Sequence, residues 1–247
     1  MSTAPLFLLD ELPDDGYAVL DGPEGRHAAT VKRLRAGEAV LLSDGRGGLA
    51  HAVVEAAARD AVDLTITRRA DVPAPAPRVL LAQALVKGDR GELAVELATE
   101  AGVDGILAWR AARCVARWDD GPRGEKALAR WRSTVREATK QARRPWLPPV
   151  EAPVSTAALA ERVGVVAGAL VLHEGADDRL GDVVADLPGA GDLLLVVGPE
   201  GGITDAELDA LVAAGARPVR LGPEVLRAST AAAVALGALG ALTARWR

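Results

Sequence analysis

The sequence predicts an α/β protein in which a parallel sheet, covered by helices on both faces, follows a small β-rich module. Three observations carry this. A segment of alternating prolines, Asp71-Val-Pro-Ala-Pro-Ala-Pro77, divides the chain into 1–72 and 73–247. Its prolines oppose helix and sheet ladder alike and favour a stiff extended connector. Beyond it, continuous Val/Leu runs alternate with helical stretches, the pattern of strands buried on both faces. Before it, short apolar stretches are separated by turn residues at close spacing.

In the first segment, Ala39-Val-Leu-Leu42, Ala50-His-Ala-Val-Val54 and Val62-Asp-Leu-Thr-Ile-Thr67 read as strands, punctuated by Asp44-Gly45 and Gly47-Gly48. In the second, strands are expected at 79–86, 105–109, 169–172, 192–197 and 218–221, and helices near 90–101, 124–143, 155–163, 204–214 and 228–245. There is no internal repeat.

Composition excludes disorder and collagen-like sequence, with 49% apolar, 26% charged and 3% aromatic residues in 247. One Phe and one Tyr against five Trp leave few base-stacking rings, which argues against an RRM- or OB-type nucleic-acid reader. The net charge of −5 gives no whole-molecule attraction to a polyanion, so any nucleic-acid contact needs a local patch. The single Cys114 excludes an intramolecular disulfide and a Cys-rich zinc site, and no metal-ligand set is read. No basic, apolar leader and no run approaching about 18 apolar residues is present, so no membrane partner is expected and the cytoplasm is the default location.

Two loops at strand ends are candidates for chemistry. Gly198-Pro199-Glu200-Gly201-Gly202 follows an apolar run and precedes a helix opened by Thr204, with Glu207 completing a capping box. Glycine-rich turns at the carboxyl ends of parallel strands bind ligands; the other reading is a tight turn needing glycine backbone angles. The loop is neither a Walker A sequence nor a dinucleotide fingerprint. The second, Leu221-Gly222-Pro223-Glu224-Val225-Leu226-Arg227, leads into a long helix that Ser229 is placed to cap. Arg227 at that helix start opposes the dipole, which points to an approaching anion. A third strand end supplies Leu172, His173 and Glu174.

The required basic patch lies between Arg110 and Arg144, with 11 Lys/Arg against 4 Asp/Glu, a balance of +7. Within its helix, Arg132, Arg136, Lys140 and Arg144 recur at four-residue spacing, joined by Arg143. Like charges at that spacing repel, which favours an anionic partner over a merely solvated face. A second cluster, Arg26-His27 and Lys32-Arg33-Leu34-Arg35, lies in the first segment. Two such surfaces suit a structured RNA held by shape and phosphate contacts.

With these residues in view, the chain resembles the SPOUT methyltransferases, specifically the RsmE family of 16S ribosomal RNA (uracil-N3) methyltransferases. The likeness rests on Val197-Gly-Pro-Glu-Gly-Gly-Ile-Thr-Asp-Ala-Glu-Leu208 and Leu221–Arg227, with support from His27-x3-Val31-x-Arg33, Gln83-Ala-Leu-Val-Lys-Gly88 and Glu137-Ala-Thr-Lys-Gln-Ala-Arg-Arg144. Many members carry Glu at the position of Ser229 and Leu at that of Lys32, so no role for that Glu transfers. The resemblance implies a PUA-like RNA-binding β-barrel at 1–72 and a trefoil-knotted methyltransferase domain at 73–247. It implies S-adenosylmethionine held by Leu172, His173, Glu174, Val197, Gly198, Pro199, Gly201, Gly202, Leu221, Gly222, Val225 and Leu226. It also implies a homodimer acting on 16S RNA of the small ribosomal subunit. Arg227, Glu200 and Ser229 are the candidates for catalysis; Arg26, His27, Arg33, Arg35, Arg132, Arg136, Lys140, Arg143 and Arg144 are those for RNA contact. Two competing readings are a SPOUT enzyme acting on ribose or transfer RNA and a non-catalytic RNA-binding assembly factor.

Overall fold

The protein is represented by a computed structural model that describes residues 4–246. The described residues form two compact units, one of 4–74 with Thr139–Leu147, the other of Pro75–Ala138 with 148–246.

The first unit contains β1 (Leu6–Leu8), β2 (Tyr17–Leu20), a short helix α1 (Gly22–Arg26) that continues into a π-helical turn (His27–Val31), β3 (Ala39–Ser43), β4 (Gly48–Ala57) and β5 (Val62–Asp71). They form one mixed sheet in the order β1-β3-β4-β5-β2, with β1 parallel to β3 and the other pairs antiparallel. The β4–β5 register slips twice, between His51 and Ala52 and between Val54 and Ala56, and such bulges increase local twist and curl a sheet. Phe7, Leu20, Leu42, Val62 and Leu64 are fully buried in its core, each adding about 1.5–3 kcal/mol. The three central strands follow the expected spans, whereas β1 and β2, of three and four residues, are too short to show a period.

Thr139–Leu147 is tied into this unit by the β3–β4 turn. Ser43 Oγ and the Gly47 N–H both donate to the Pro145 carbonyl at 3.0 Å, and the Leu147 N–H donates to Gly45 O at 2.9 Å. Trp146 Nε1 donates to Val72 O at 3.0 Å.

The second unit runs β6 (Arg78–Ala84), α2 (Arg90–Glu100), β7 (Gly105–Trp109), α3 (Pro122–Gln141), β8 (Val150–Val154), α4 (Thr156–Val163), β9 (Gly168–Leu172), α5 (Leu180–Val183), β10 (Asp192–Val197), α6 (Asp205–Ala213), β11 (Arg217–Val219) and α7 (Ala228–Leu242). The last turn of α3 groups with the first unit. Its sheet has the order β11-β9-β10-β6-β7-β8 and is parallel throughout, as the continuous apolar runs require. One face packs Leu80, Ala82, Leu194 and Val196 against Leu159 and Leu211 of α4 and α6, while α2 and α7 pack on each other. β8 was not expected: it contains Pro153 and occupies an edge, the position where a missing N–H is tolerated.

The chain runs β6-β7-β8 toward one edge, then returns to place β10 beside β6. That reversal leaves a crevice at the carboxyl ends of β6 and β10. Below the opposite ends of the strands, Arg245 pairs with Asp104 at 2.9 Å and donates to the carbonyls of Gly102 and Pro77. Among the described residues no helix is long and apolar enough to cross a membrane.

Candidate active site

The loops leaving β9, β10 and β11 meet the starts of α2 and α7 around a cavity of about 350 Å³. Eleven of the twelve residues expected to hold a cofactor line it, together with Glu200, Arg227 and Ser229. The exception is Gly201. Its carbonyl accepts from Arg113 Nη1 at 3.1 Å, and a Cβ built there meets Arg113 Cβ at 3.0 Å, so it turns toward the loop after β7.

The glycine-rich turn needs its glycines for its own geometry, and it also lines the cavity. A Cβ at Gly198 would lie 2.6 Å from Ile203 Cγ1, and Gly202 has φ +75°, so glycine is needed to form the turn. The formed turn then exposes backbone groups to the cavity. Thr204 caps α6 in the expected box with Glu207.

Ser229 does not cap α7. Arg227 occupies the N-cap with extended backbone (ψ 147°), and the chain enters the helix at Ala228, which places Ser229 in its first turn. Ser229 is 4% exposed and lines the cavity, and among the described residues its hydroxyl has no protein partner. His173 serves the turn after β9: its Nδ1 accepts from the Gly175 N–H at 3.1 Å, so the neutral ring carries its proton on Nε2.

The wall is apolar at Val86, Ile203, Val219 and Ala231, residues not foreseen as site residues. Also missed was Arg90, at the first position of α2. It follows β6, the central strand of the reversal, and the strand-end rule that found the other loops names this one too. Neither Arg90 nor Arg227 makes a side-chain ion pair among the described residues. With Arg220, they face Glu174, Glu200 and Glu224 around the cavity, a balanced set of fixed charges.

Beneath the glycine-rich turn, Glu207 is 6% exposed. Burial pushes its carboxyl up, but bonds donated by the Ala112 N–H and by Thr204 and Thr156 hold it below the ordinary carboxylate range. A carboxylate depressed on folding adds stability above its unfolded pKa, and that stability is lost as pH falls through the folded value.

The basic residues divide. Arg26, Arg33 and Arg35 are exposed in the first unit, and Arg33 adopts φ 54° after the π-helical turn. His27 packs edge-on against Phe7, ring centroids 6.2 Å apart. On α3, Arg132 is exposed with its Nε bonded to Val150 O at 3.1 Å, and Arg136 is partly buried. Lys140 departs from the expected solvent-facing stripe. Its side chain is 8% exposed and pairs with Glu24 of α1 at 3.2 Å, because the last turn of α3 belongs to the first unit, which brings the two residues together. Arg143 is exposed with φ 53°, and Arg144 is partly buried.

The sequence profile of an RNA methyltransferase domain matches residues 73–240, and that of an RNA methyltransferase PUA domain matches residues 20–67. The chain is 58% identical over 248 aligned residues to the ribosomal RNA small subunit methyltransferase E of Mycobacterium bovis, covering 98% of this chain and 94% of that protein. Among solved structures it is similar to a ribosomal RNA small subunit methyltransferase E from Neisseria gonorrhoeae bound to S-adenosyl methionine, at TM-score 0.85 and 28% identity over 97% of this chain and 98% of that one. A methyltransferase from Legionella pneumophila in complex with SAM gives TM-score 0.84 and 28% identity, again over 97% and 98%. A parallel α/β unit with a strand-end cavity, joined to a PUA unit, defines an RNA methyltransferase. Within that class, the chain belongs to the ribosomal RNA small subunit methyltransferase E family.

Proposed function

We propose that this protein transfers a methyl group from S-adenosylmethionine to N3 of a uracil in 16S ribosomal RNA of the small subunit. The observation that carries the reading is the meeting of three strand-end loops on one cavity in a chain of this family. The cavity volume, about 350 Å³, suits a cofactor-sized ligand. Its wall fits S-adenosylmethionine in kind: apolar side chains for the adenine, loop backbone for hydrogen bonds, and balanced charges for a ligand bearing an ammonium, a carboxylate and a sulfonium. When bound, the cofactor supplies an electrophilic methyl group.

The protein's residues supply the rest. The backbone of 198–202 and 221–226 orients the ligand so that binding brings the reacting atoms into line. The uracil N3 proton must leave before or during transfer, and Glu200, exposed on the cavity rim, is the candidate to accept it or to orient the base. Arg227 stabilises the negative charge that spreads to the uracil oxygens. Ser229 offers a hydroxyl in the cavity, and Arg90 a second cation beside an RNA phosphate.

RNA contact is assigned to basic side chains in both units. In the first, Arg26, Arg33 and Arg35 form the exposed cluster. Arg33→Glu with Arg35→Glu is expected to weaken small-subunit binding and lower the slope of log affinity against log salt by about one to two, while leaving cofactor affinity unchanged. Binding measured across a salt series checks this, and an unchanged slope removes the cluster from the interface. Arg132, Arg136, Arg143 and Arg144 are assigned the same kind of contact; Lys140, buried on Glu24, is not.

The family resemblance supports three further assignments: a trefoil knot at the chain end, a cytoplasmic location and a homodimer. For the dimer, exposed apolar side chains on α2 and α7 (Leu93, Val234 and Leu242) offer a face, and sedimentation of the pure protein tests it.

The whole reading is tested by calorimetric titration with S-adenosylmethionine and by mass-spectrometric mapping of methylated uridine in ribosomal RNA with and without the protein. Saturable binding and an N3-methyluridine that depends on the protein are expected. No binding removes the enzyme reading, and a methylated ribose or transfer RNA replaces the substrate.

A further inference from the structure

We propose that Glu207 is the positioning residue of the cofactor site: its carboxylate locks the glycine-rich turn to two neighbouring strand ends and so presets the turn for its ligand. The proposal rests on the S-adenosylmethionine reading above and adds to it a residue that does not line the cavity.

The geometry is a junction of three segments held by four hydrogen bonds. Oε2 accepts from the Thr204 N–H at 3.1 Å and from Thr204 Oγ1 at 2.8 Å, which closes the base of the turn. Oε1 accepts from the Ala112 N–H at 2.8 Å, in the loop leaving β7, and from Thr156 Oγ1 at 3.0 Å, at the start of α4. Thr156 Oγ1 in turn accepts from Trp109 Nε1 at 3.2 Å, so its proton is directed at Glu207. Next along the chain from Ala112, Arg113 holds Gly201 O at 3.1 Å. The carboxylate therefore anchors both the turn and the segment that braces it.

A capping box alone uses only the bonds to Thr204. The two bonds to Ala112 and Thr156 are unnecessary for starting α6; they join segments 95 and 51 residues away. Among the described residues no cation pairs with this 6% exposed carboxylate; its charge is met by neutral donors, a placement that only an ionised, four-acceptor group satisfies. Such a network rigidifies what it joins, and a turn already held in its bound shape loses less freedom when the ligand enters.

Glu207→Gln keeps the volume but turns donor hydrogens toward at least one of the present donors. With the full-length protein and S-adenosylmethionine as probe, the expected result is a rise of about tenfold in both Kd and cofactor KM, with kcat on small subunits within about twofold. Asp209→Asn, on the exposed face of α6, removes a carboxylate from the same helix and leaves all three unchanged. Thr156→Val removes one donor on α4 and is expected to raise KM about threefold; it decides the matter if Glu207→Gln does not fold. Cofactor Kd and KM within twofold of the parent in the folded variants, whatever the change in melting temperature, overturn the proposal and leave Glu207 a structural cap. Failure of the parent protein itself to bind the cofactor is the different outcome that removes the reading on which this rests.

Discussion

Arg227→Ala is expected to lower kcat for methyl transfer by about a hundredfold or more, while cofactor affinity stays within a few-fold. The size follows from what removing one preorganised donor to a developing oxyanion costs, about 3–4 kcal/mol. Arg227 is the N-cap residue of α7, exposed on the cavity wall and without an ion pair among the described residues. A cation at that end of a helix opposes the dipole by about 0.3–1 kcal/mol, a small cost that an arriving anion offsets. Loss of the N3 proton spreads charge over the two uracil oxygens, which a planar fork of N–H donors meets better than a point charge does. Arg227→Lys should accordingly recover only part of the rate. Single-turnover transfer to small subunits lacking the modification, with calorimetry on the same variants, reads both quantities. A full rate for Arg227→Ala would sink the assigned role.

Gly47→Ala is expected to destabilise the first unit by roughly 2–5 kcal/mol, from about 1–2 kcal/mol for a left-handed backbone and about 1–3 for overpacking. Gly47 has φ +102°, and a Cβ there would lie 2.6 Å from Trp146 Cζ2 and 2.6 Å from the Val72 carbonyl oxygen. The carbonyl is backbone, and Trp146 is held by its own bond to the same oxygen, so neither yields easily. For a unit of this size the melting temperature should fall by about 10 °C or more. Gly37→Ala, at φ +87° with nothing within 4 Å, isolates the backbone contribution and should cost less. Differential scanning calorimetry of the two variants checks the ranking; equal effects would show that Trp146 and Val72 do not confine this turn.

The lining of the cavity was largely legible in the sequence because of where its residues stand in the chain. Each loop follows an apolar run at a strand's carboxyl end, and parallel sheets place ligands there. Gly198 and Gly202 announced a turn, and Thr204 with Glu207 announced a helix start, through rules acting over three to five residues. Arg90 obeyed the same strand-end rule without a glycine-rich signature to mark it. Ser229 misled because serine favours N-caps, whereas the chain enters α7 after Arg227. In the fold, β8 hid behind its proline, and β1 and β2 behind their brevity.

Lys140 shows the limit most plainly. Its four-residue spacing from Arg136 and Arg144 puts it on a basic stripe, but its partner Glu24 lies 116 residues earlier. Glu207 shows the same limit for the site: the capping box is local, whereas the bonds to Thr156 and Ala112 span 51 and 95 residues.

By itself the sequence determined the two-part α/β architecture, the parallel sheet, the three strand-end loops and the family to which they belong, because periodicity and turn chemistry act between near neighbours in the chain. Only the tertiary structure decided that Thr139–Leu147 joins the first unit, that Lys140 is an internal ion pair and that Glu207 ties three segments together. Those are meetings of distant residues, set by where folding brings strand ends and helix ends together and carrying no local mark.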